Sequence, residues 1–344
     1  MTVAMQDLSK DGKVKELEIL LKDVKDVNNI DEYGQTALHS AIFRGLIKQG
    51  LDIPEYIANN QYEVIKLLLK NGLDVNIKDR YYGRTAIYGA CFIGDEKIIR
   101  LLIRNGANAN IKNNDGKTAL HSATSRMNNL EIVKELVAMG ADITLKDNKG
   151  ATALEYAERY NFEHYIEFYK KVYNVLDMVS KSDVASLINY INSESKWDKE
   201  ILERVAIKKA LENDDISLVN DILNNEDDIN HIAKDGYTLL HFAVLSNNEK
   251  LVRILLKRGA KSYVIDSEGN TAIHLASLSN NKNILNILAN RTTTDVLFYP
   301  NRDGLTVKQI AILKNNNEIV KNINSRERET IVNDIIRVRC RSLM

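Results

Sequence analysis

The sequence predicts an all-α solenoid of stacked helix–turn–helix repeats with β-turn tips, about eight to ten of them counting degenerate and capping copies. Three observations predict it. A nine-residue block recurs along the chain, an amphipathic block follows it and closes on glycine, and the 344 residues include only two prolines amid abundant Leu, Ile, Lys, Asn and Asp. That composition suits helices joined by polar turns.

The first block reads "YGQTALHSA" (33–41), "YGRTAIYGA" (82–90), "DGKTALHSA" (115–123), "KGATALEYA" (149–157), "DGYTLLHFA" (235–243) and "EGNTAIHLA" (268–276), with a weaker "DGLTVKQIA" at 303–311. Its glycines, Gly34, Gly83, Gly116, Gly150, Gly236, Gly269 and Gly304, give a basal spacing of 33 with two irregularities. Thr36, Thr85, Thr118, Thr152, Thr238 and Thr271 stand where a hydroxyl can cap the first helix. The second block, as in "EKIIRLLIRNG" ending at Gly106 or "EKLVRILLKRG" ending at Gly259, places apolar residues on one helical face and charges opposite. Its final glycine fits a left-handed helix end. A unit this small cannot bury its apolar face alone, so neighbours must stack to build a core.

The period of 33, the T-x-L-H-x-A block and the closing helix resemble the ankyrin repeat. One departure is consistent: the proline usual after threonine in that family is Ala37, Ala86, Ala119, Ala153, Leu239 and Ala272. Both residue types suit a first helical turn, so the change is local.

The spacing assigns residues 1–30 to an N-terminal capping half-repeat and 31–175 to four repeats, the first carrying about fifteen extra residues near 45–59. Residues 176–232 read as degenerate repeats, 233–299 as further repeats, 300–325 as a C-terminal cap and 326–344 as a charged tail. The lone tryptophan, Trp197, falls in the polar stretch "SESKWDKE" and is expected to pin the degenerate copies together.

Histidines His39, His121, His241 and His274 share one repeat position. Histidine serves as base or metal ligand elsewhere. Here the equivalent residues are Tyr88 and Glu155 in other copies, so scaffolding is the expected role. Cys91 reads as a buried thiol, and neither it nor Cys340 lies in a metal or disulfide pattern. Nucleotide, zinc-protease and nucleophile-elbow motifs do not occur, so no enzyme, cofactor or metal is expected. Lys plus Arg equals Asp plus Glu at 47 each, which disfavours nucleic acid. No stretch has the length and apolarity of a bilayer span, and the N-terminus lacks the apolar core of a signal peptide.

The resemblance implies a monomeric, non-enzymatic scaffold that binds another protein through turn tips and first helices, which in that family form a concave surface. By repeat position those places are Glu32, Tyr33, Gln35, Phe43 and Arg44 in the first copy and Tyr81, Tyr82, Arg84, Phe92 and Ile93 in the second. The third offers Asn114, Asp115, Lys117, Ser125 and Arg126, and the fourth Asn148, Lys149, Arg159 and Tyr160. Residues 32–126 hold the Tyr, Phe and Arg enriched at interfaces, whereas the C-terminal copies show small or polar types there. The rival reading is a regulatory array with an enzymatic or toxin-related activity in 165–230. The Asn, Lys and Ile bias resembles ankyrin proteins of intracellular bacteria and large DNA viruses, which implies by association a cytoplasmic, host-directed role.

Overall fold

A computed structural model describes residues 2–47, 55–125, 129–226 and 228–326. It divides into two compact bodies, Met1–Asp228 and Ile229–Met344. Among the described residues every regular element is a helix, and most occur as antiparallel pairs. First helices include Ala37–Ile47, Ala86–Ile93, Ala119–Thr124 and Ala153–Arg159, then Leu239–Leu245 and Ala272–Leu278 in the C-terminal body. Second helices include Glu55–Lys70, Glu96–Arg104 and Leu130–Ala138, then Glu249–Lys257 and Lys282–Ala289. The apolar faces read from the sequence are the buried ones, for example Ile98, Ile99 and Leu102 or Leu251, Val252 and Leu255.

Threonine and histidine act together at the first-helix starts. In four copies the backbone N–H of the capping threonine donates to the histidine Nδ1, at 3.2 Å for Thr36–His39, 3.1 Å for Thr118–His121, 3.2 Å for Thr238–His241 and 3.3 Å for Thr271–His274. A backbone N–H can only donate, so Nδ1 is the acceptor and the proton of the neutral ring sits on Nε2. Nε2 then donates to a carbonyl of the following copy: Arg84 at 3.0 Å, Ala151 at 3.1 Å, Asn270 at 3.3 Å and Tyr299 at 2.9 Å. Each ring thus closes its own helix and ties it to the next repeat. Glu155 and Gln309 close the same box with side-chain oxygens, from Thr152 and Thr306.

Three regions differ from the sequence expectation. Residues Thr2–Lys10 form a helix before Val14–Leu21, so the N-terminus is a helix pair rather than a half-repeat. The helix lacks the threonine block, yet it buries Met5 and Ser9, and Gln6 Nε2 donates to the Gln35 carbonyl. The insertion near 45–59 lengthens the helices on both sides, to 11 and 16 residues, while 48–54 lie outside the described residues.

The segment after the fourth tip alternates long and short helices, Glu163–Ser180, Val184–Asn192, Lys196–Glu212 and Ile216–Asn224. Trp197 lies inside the third of these rather than between elements. It is buried, and its indole donates to Glu131 Oε2 at 3.1 Å. Lys134 meets Asp198 at 2.7 Å and Lys208 donates to the Gly140 carbonyl at 2.8 Å, so this long helix packs back on the third repeat's second helix. Even here the turns keep the repeat period. Ser182, Asp214, Asn247 and Asn280 are left-handed residues at inter-helix turns. The residue after each caps the next helix: Asp183, Asp215, Asn248 and Asn281 accept from the N–H three residues on.

Burial holds His39, His121 and His274 below the ordinary histidine value, and His274 is pushed down to about 4. The folded-state value lies below the unfolded one, so the unfolded chain takes up the proton first. This contribution to stability is complete above about pH 6.5 and declines as pH falls toward 4. For His274 the decline amounts to about 2 kcal/mol by pH 5. His274→Gln, which keeps the cap as Gln309 does, is expected to remove about that much of the pH dependence. Urea midpoints of both proteins at pH 7 and pH 5 measure it, and parallel shifts would assign the effect to other groups.

Candidate partner-binding surface

The tips are built by a repeated short turn. Asp31, Asp79, Asn113 and Asp147 accept backbone N–H bonds from the residues that follow, such as Tyr33 and Gln35 at 2.9 and 2.8 Å or Lys149 and Ala151 at 2.9 Å each. Each of these side chains is thereby occupied in shaping its own turn. Successive tips of the N-terminal body then join through the backbone: Arg80 donates to Tyr33 at 3.0 Å, Asn114 to Tyr82 at 2.8 Å and Asn148 to Asp115 at 2.9 Å. Below them a second ladder runs through asparagine. Asn28, Asn76 and Asn110 each accept from the following copy, from Asp74 N at 2.7 Å, Asn108 N at 2.8 Å and Asp142 N at 2.8 Å.

On this frame the sequence-chosen residues fall into distinct groups. Tyr33, Tyr81 and Tyr82 are exposed, at 56%, 70% and 50%. Tyr81 and Tyr82 pack edge to face at 4.8 Å, and both stand out from a turn that is tied on each side. Glu32 and Asp115 are exposed beside them, and Phe92, Ile93, Gln35 and Ser125 are half-buried. Ser125 Oγ donates to the Ser122 carbonyl, closing its own helix end. Asn114 and Asn148 are exposed but use their side chains along the tip row, on the carbonyls of Tyr81 and Asn114.

Phe43 corrects the expectation. It is buried, because its ring lies against Gly89, stacks on His39 at 5.7 Å and is covered by the Arg84 guanidinium at 4.7 Å. It supports Arg84 instead of meeting a partner. Arg44 lies on the helix Ala37–Ile47, and Arg126 falls outside the described residues.

Arg84 also rests on Tyr82, with its Cζ 4.0 Å from the ring centre, and its Nε donates to Asp79 Oδ2 at 3.2 Å. Lys117 and Arg159 both lie against the buried Tyr156, each 5.3 Å from that ring's centre. The Tyr156 hydroxyl donates to Asp147 Oδ2 at 2.8 Å. Two participants were missed from sequence. Tyr88 takes the histidine position of its copy and lies half-buried near Lys117 and Arg84, and Tyr156 anchors two cations. The signal for Tyr88 is in the sequence: its copy has an aromatic in place of the bracing histidine. The C-terminal body is less bland than its aligned positions suggest, since Tyr263, Ile265 and Tyr299 are exposed on the segments leading into its tips.

Cys91 is buried in a first helix, where burial raises its thiol well above the ordinary value. Such a thiol stays protonated and is a poor nucleophile.

Sequence models described as ankyrin repeats (3 copies) match residues 55–147 and 207–298, and one described as ankyrin repeats (many copies) matches residues 4–48. The chain belongs to the ankyrin-repeat family. It is similar to the ankyrin repeat, SAM and basic leucine zipper domain-containing protein 1 of Carollia perspicillata, with 37% identity over 79 residues, 22% of this chain and 17% of that protein. It is also similar to the Notch-regulated ankyrin repeat-containing protein A of Danio rerio, with 32% identity over 97 residues, 27% of this chain and 72% of that one. The chain thus covers 17% of the length of the first of these relatives. Ankyrin repeats generally mediate protein–protein interaction, and no described helix is long and apolar enough to cross a membrane.

The tip row of this ankyrin array is tight in the middle and open at its fourth member. A Cβ on Gly116 would lie 2.6 Å from the Asn148 backbone nitrogen, whereas one on Gly150 would meet nothing within 4 Å. Both glycines have positive φ, +78° and +81°. Gly150→Ala is therefore expected to carry only the left-handed penalty of about 1 kcal/mol. Gly116→Ala is expected to cost about 1 kcal/mol more, because it also breaks the Asn148–Asp115 hydrogen bond. Urea denaturation of the two variants compares them, and equal losses would mean the tips are not coupled.

Proposed function

We propose that the chain is a non-enzymatic adaptor or competitive inhibitor that presents the tips and first helices of its first four repeats to another protein. The observation that carries this reading is the pair Tyr81 and Tyr82, two large aromatic side chains held outward on a turn fixed by hydrogen bonds to both neighbouring tips. Exposed aromatics on a rigid frame bury large area at small entropic cost, which is how interface hot spots work. Glu32, Tyr33, Arg84, Ile93, Asp115 and Lys117 extend the same surface. The family's general role in protein–protein interaction supports the reading.

The finer biology follows the composition. An Asn-, Lys- and Ile-rich ankyrin chain fits a host-directed effector acting in a cytoplasm, binding as a monomer. The charged groups of 163–212 support a packing role over a catalytic one: Lys171 meets Glu194 at 2.6 Å and Asp198 at 3.1 Å, and Asp198 also meets Lys134.

Tyr81→Ser with Tyr82→Ser is expected to leave the urea midpoint unchanged and to lower partner capture from a host-cell lysate at least about tenfold. Tyr263→Ser with Tyr299→Ser, in the C-terminal body, is the matched control and is expected to capture as the parent does. Full capture by the first variant, or loss only in the second, would move the site off the first four repeats.

A further inference from the structure

The same surface carries a feature that neither the repeat pattern nor the family requires. Lys117 directly follows one tip glycine, Arg84 directly follows the preceding one, and Arg159 ends the first helix of the fourth repeat. Three cations thus come from three successive repeats. Each is seated on an aromatic ring, Arg84 on Tyr82 and both Lys117 and Arg159 on Tyr156. An aromatic face holds a cation in place without neutralising its charge.

Most of the nearby acids are already engaged, Asp79 by Arg84 itself. Asp79 takes the Nε of Arg84 at 3.2 Å and the N–H of Tyr82 at 2.6 Å, and among the described residues the Arg84 Nη groups have no hydrogen-bond partner. Asp147 takes two backbone N–H groups and the Tyr156 hydroxyl. Glu155 closes the cap at Thr152. Asp115 is the remaining acid that influences Lys117, and it lies exposed at the tip. Among the described residues no carboxylate forms an ion pair with Lys117 or Arg159. Two like charges are gathered at one ring, and neither is paired directly with a carboxylate among the described residues.

The positions following the tip glycines in the C-terminal body carry no such charge. They are Tyr237 and Asn270, both buried, and Leu305. The cationic row is a property of the first body.

We infer that the partner reaches this surface with an extended acidic segment, one carboxylate lying between Lys117 and Arg159 at Tyr156 and a second meeting the Nη groups of Arg84 one repeat away. The inference rests on the reading of the tips and first helices as the partner site. Cations of fixed geometry, with Arg84 and Lys117 half-buried and Arg159 exposed, favour an anion of matching spacing and reject neutral or basic segments, so charge here supplies specificity.

The test is affinity selection of a random dodecapeptide library on the full chain, followed by fluorescence anisotropy of the recovered peptides. The expected result is enrichment of Asp or Glu at two positions, and binding that weakens as salt is raised. Lys117→Gln with Arg159→Gln is expected to weaken those peptides at least tenfold at an unchanged urea midpoint. Lys70→Gln, an exposed cation on a second helix, is expected to change nothing. Recovery of peptides without acidic enrichment, no recovery at all, or equal affinity for the Lys117/Arg159 variant would each overturn the inference. Inorganic phosphate that displaces every peptide regardless of sequence would mean an adventitious anion only, and would overturn it too. Neutral peptides lost on Tyr81→Ser with Tyr82→Ser would overturn the acidic assignment while leaving the surface itself in place. Peptides indifferent to both sets of substitutions would remove the surface as well.

Discussion

Hydrogen bonds from one repeat to the next are the constraint on which everything else here depends. A helix pair of this size has no interior of its own, so its stability is a sum of contacts with its neighbours. In the first body those contacts form three parallel ladders. Neutral histidines reach the carbonyls of Arg84 and Ala151, backbone amides join the tips, and asparagines clamp the loops beneath. They fix the tips while leaving the side chains between the ladder positions free to differ from copy to copy, and Tyr81, Tyr82, Arg84 and Lys117 occupy those variable places.

The lysine, threonine and histidine of "DGKTALHSA" divide in the same terms. Thr118 and His121 are both buried, and the ring nitrogens are fully occupied by one donor below and one acceptor in the next copy. A ring so placed has no free nitrogen to offer a substrate. Lys117, its neighbour in sequence, points to a different partner, the ring of Tyr156 in the fourth copy. Adjacent letters in a repeat thus divide cleanly between frame and display.

Much of the fold was legible because the frame residues recur: the glycines and threonines of the tips, the histidines, and the apolar faces of the second helices. Legibility failed where the chain keeps a repeat's conformation with different residues. Ser182–Asp183 and Asp214–Asp215 make the same inter-helix turn as Asn247–Asn248, but a left-handed residue followed by an Asx cap tolerates several spellings. The helix Thr2–Lys10 was missed because its partners are distant in sequence, as in the bond from Gln6 to Gln35. Phe43 was misplaced because its burial depends on Gly89 in the following copy, a small residue whose meaning appears only when two repeats are stacked. The Tyr156 ring is buried, and what the sequence could not convey is that two cations from different repeats converge on it.

The asparagine ladder stops at Thr144, which stands where Asn28, Asn76 and Asn110 stand in earlier copies. Its hydroxyl turns inward to Asp142 at 2.6 Å instead of reaching forward. Other bonds take over at that point: the Tyr173 hydroxyl donates to the Ile143 carbonyl at 3.2 Å and Lys208 to the Gly140 carbonyl at 2.8 Å. The array changes its fastening there, from a backbone clamp repeated in each loop to side chains sent back by the long helices that follow.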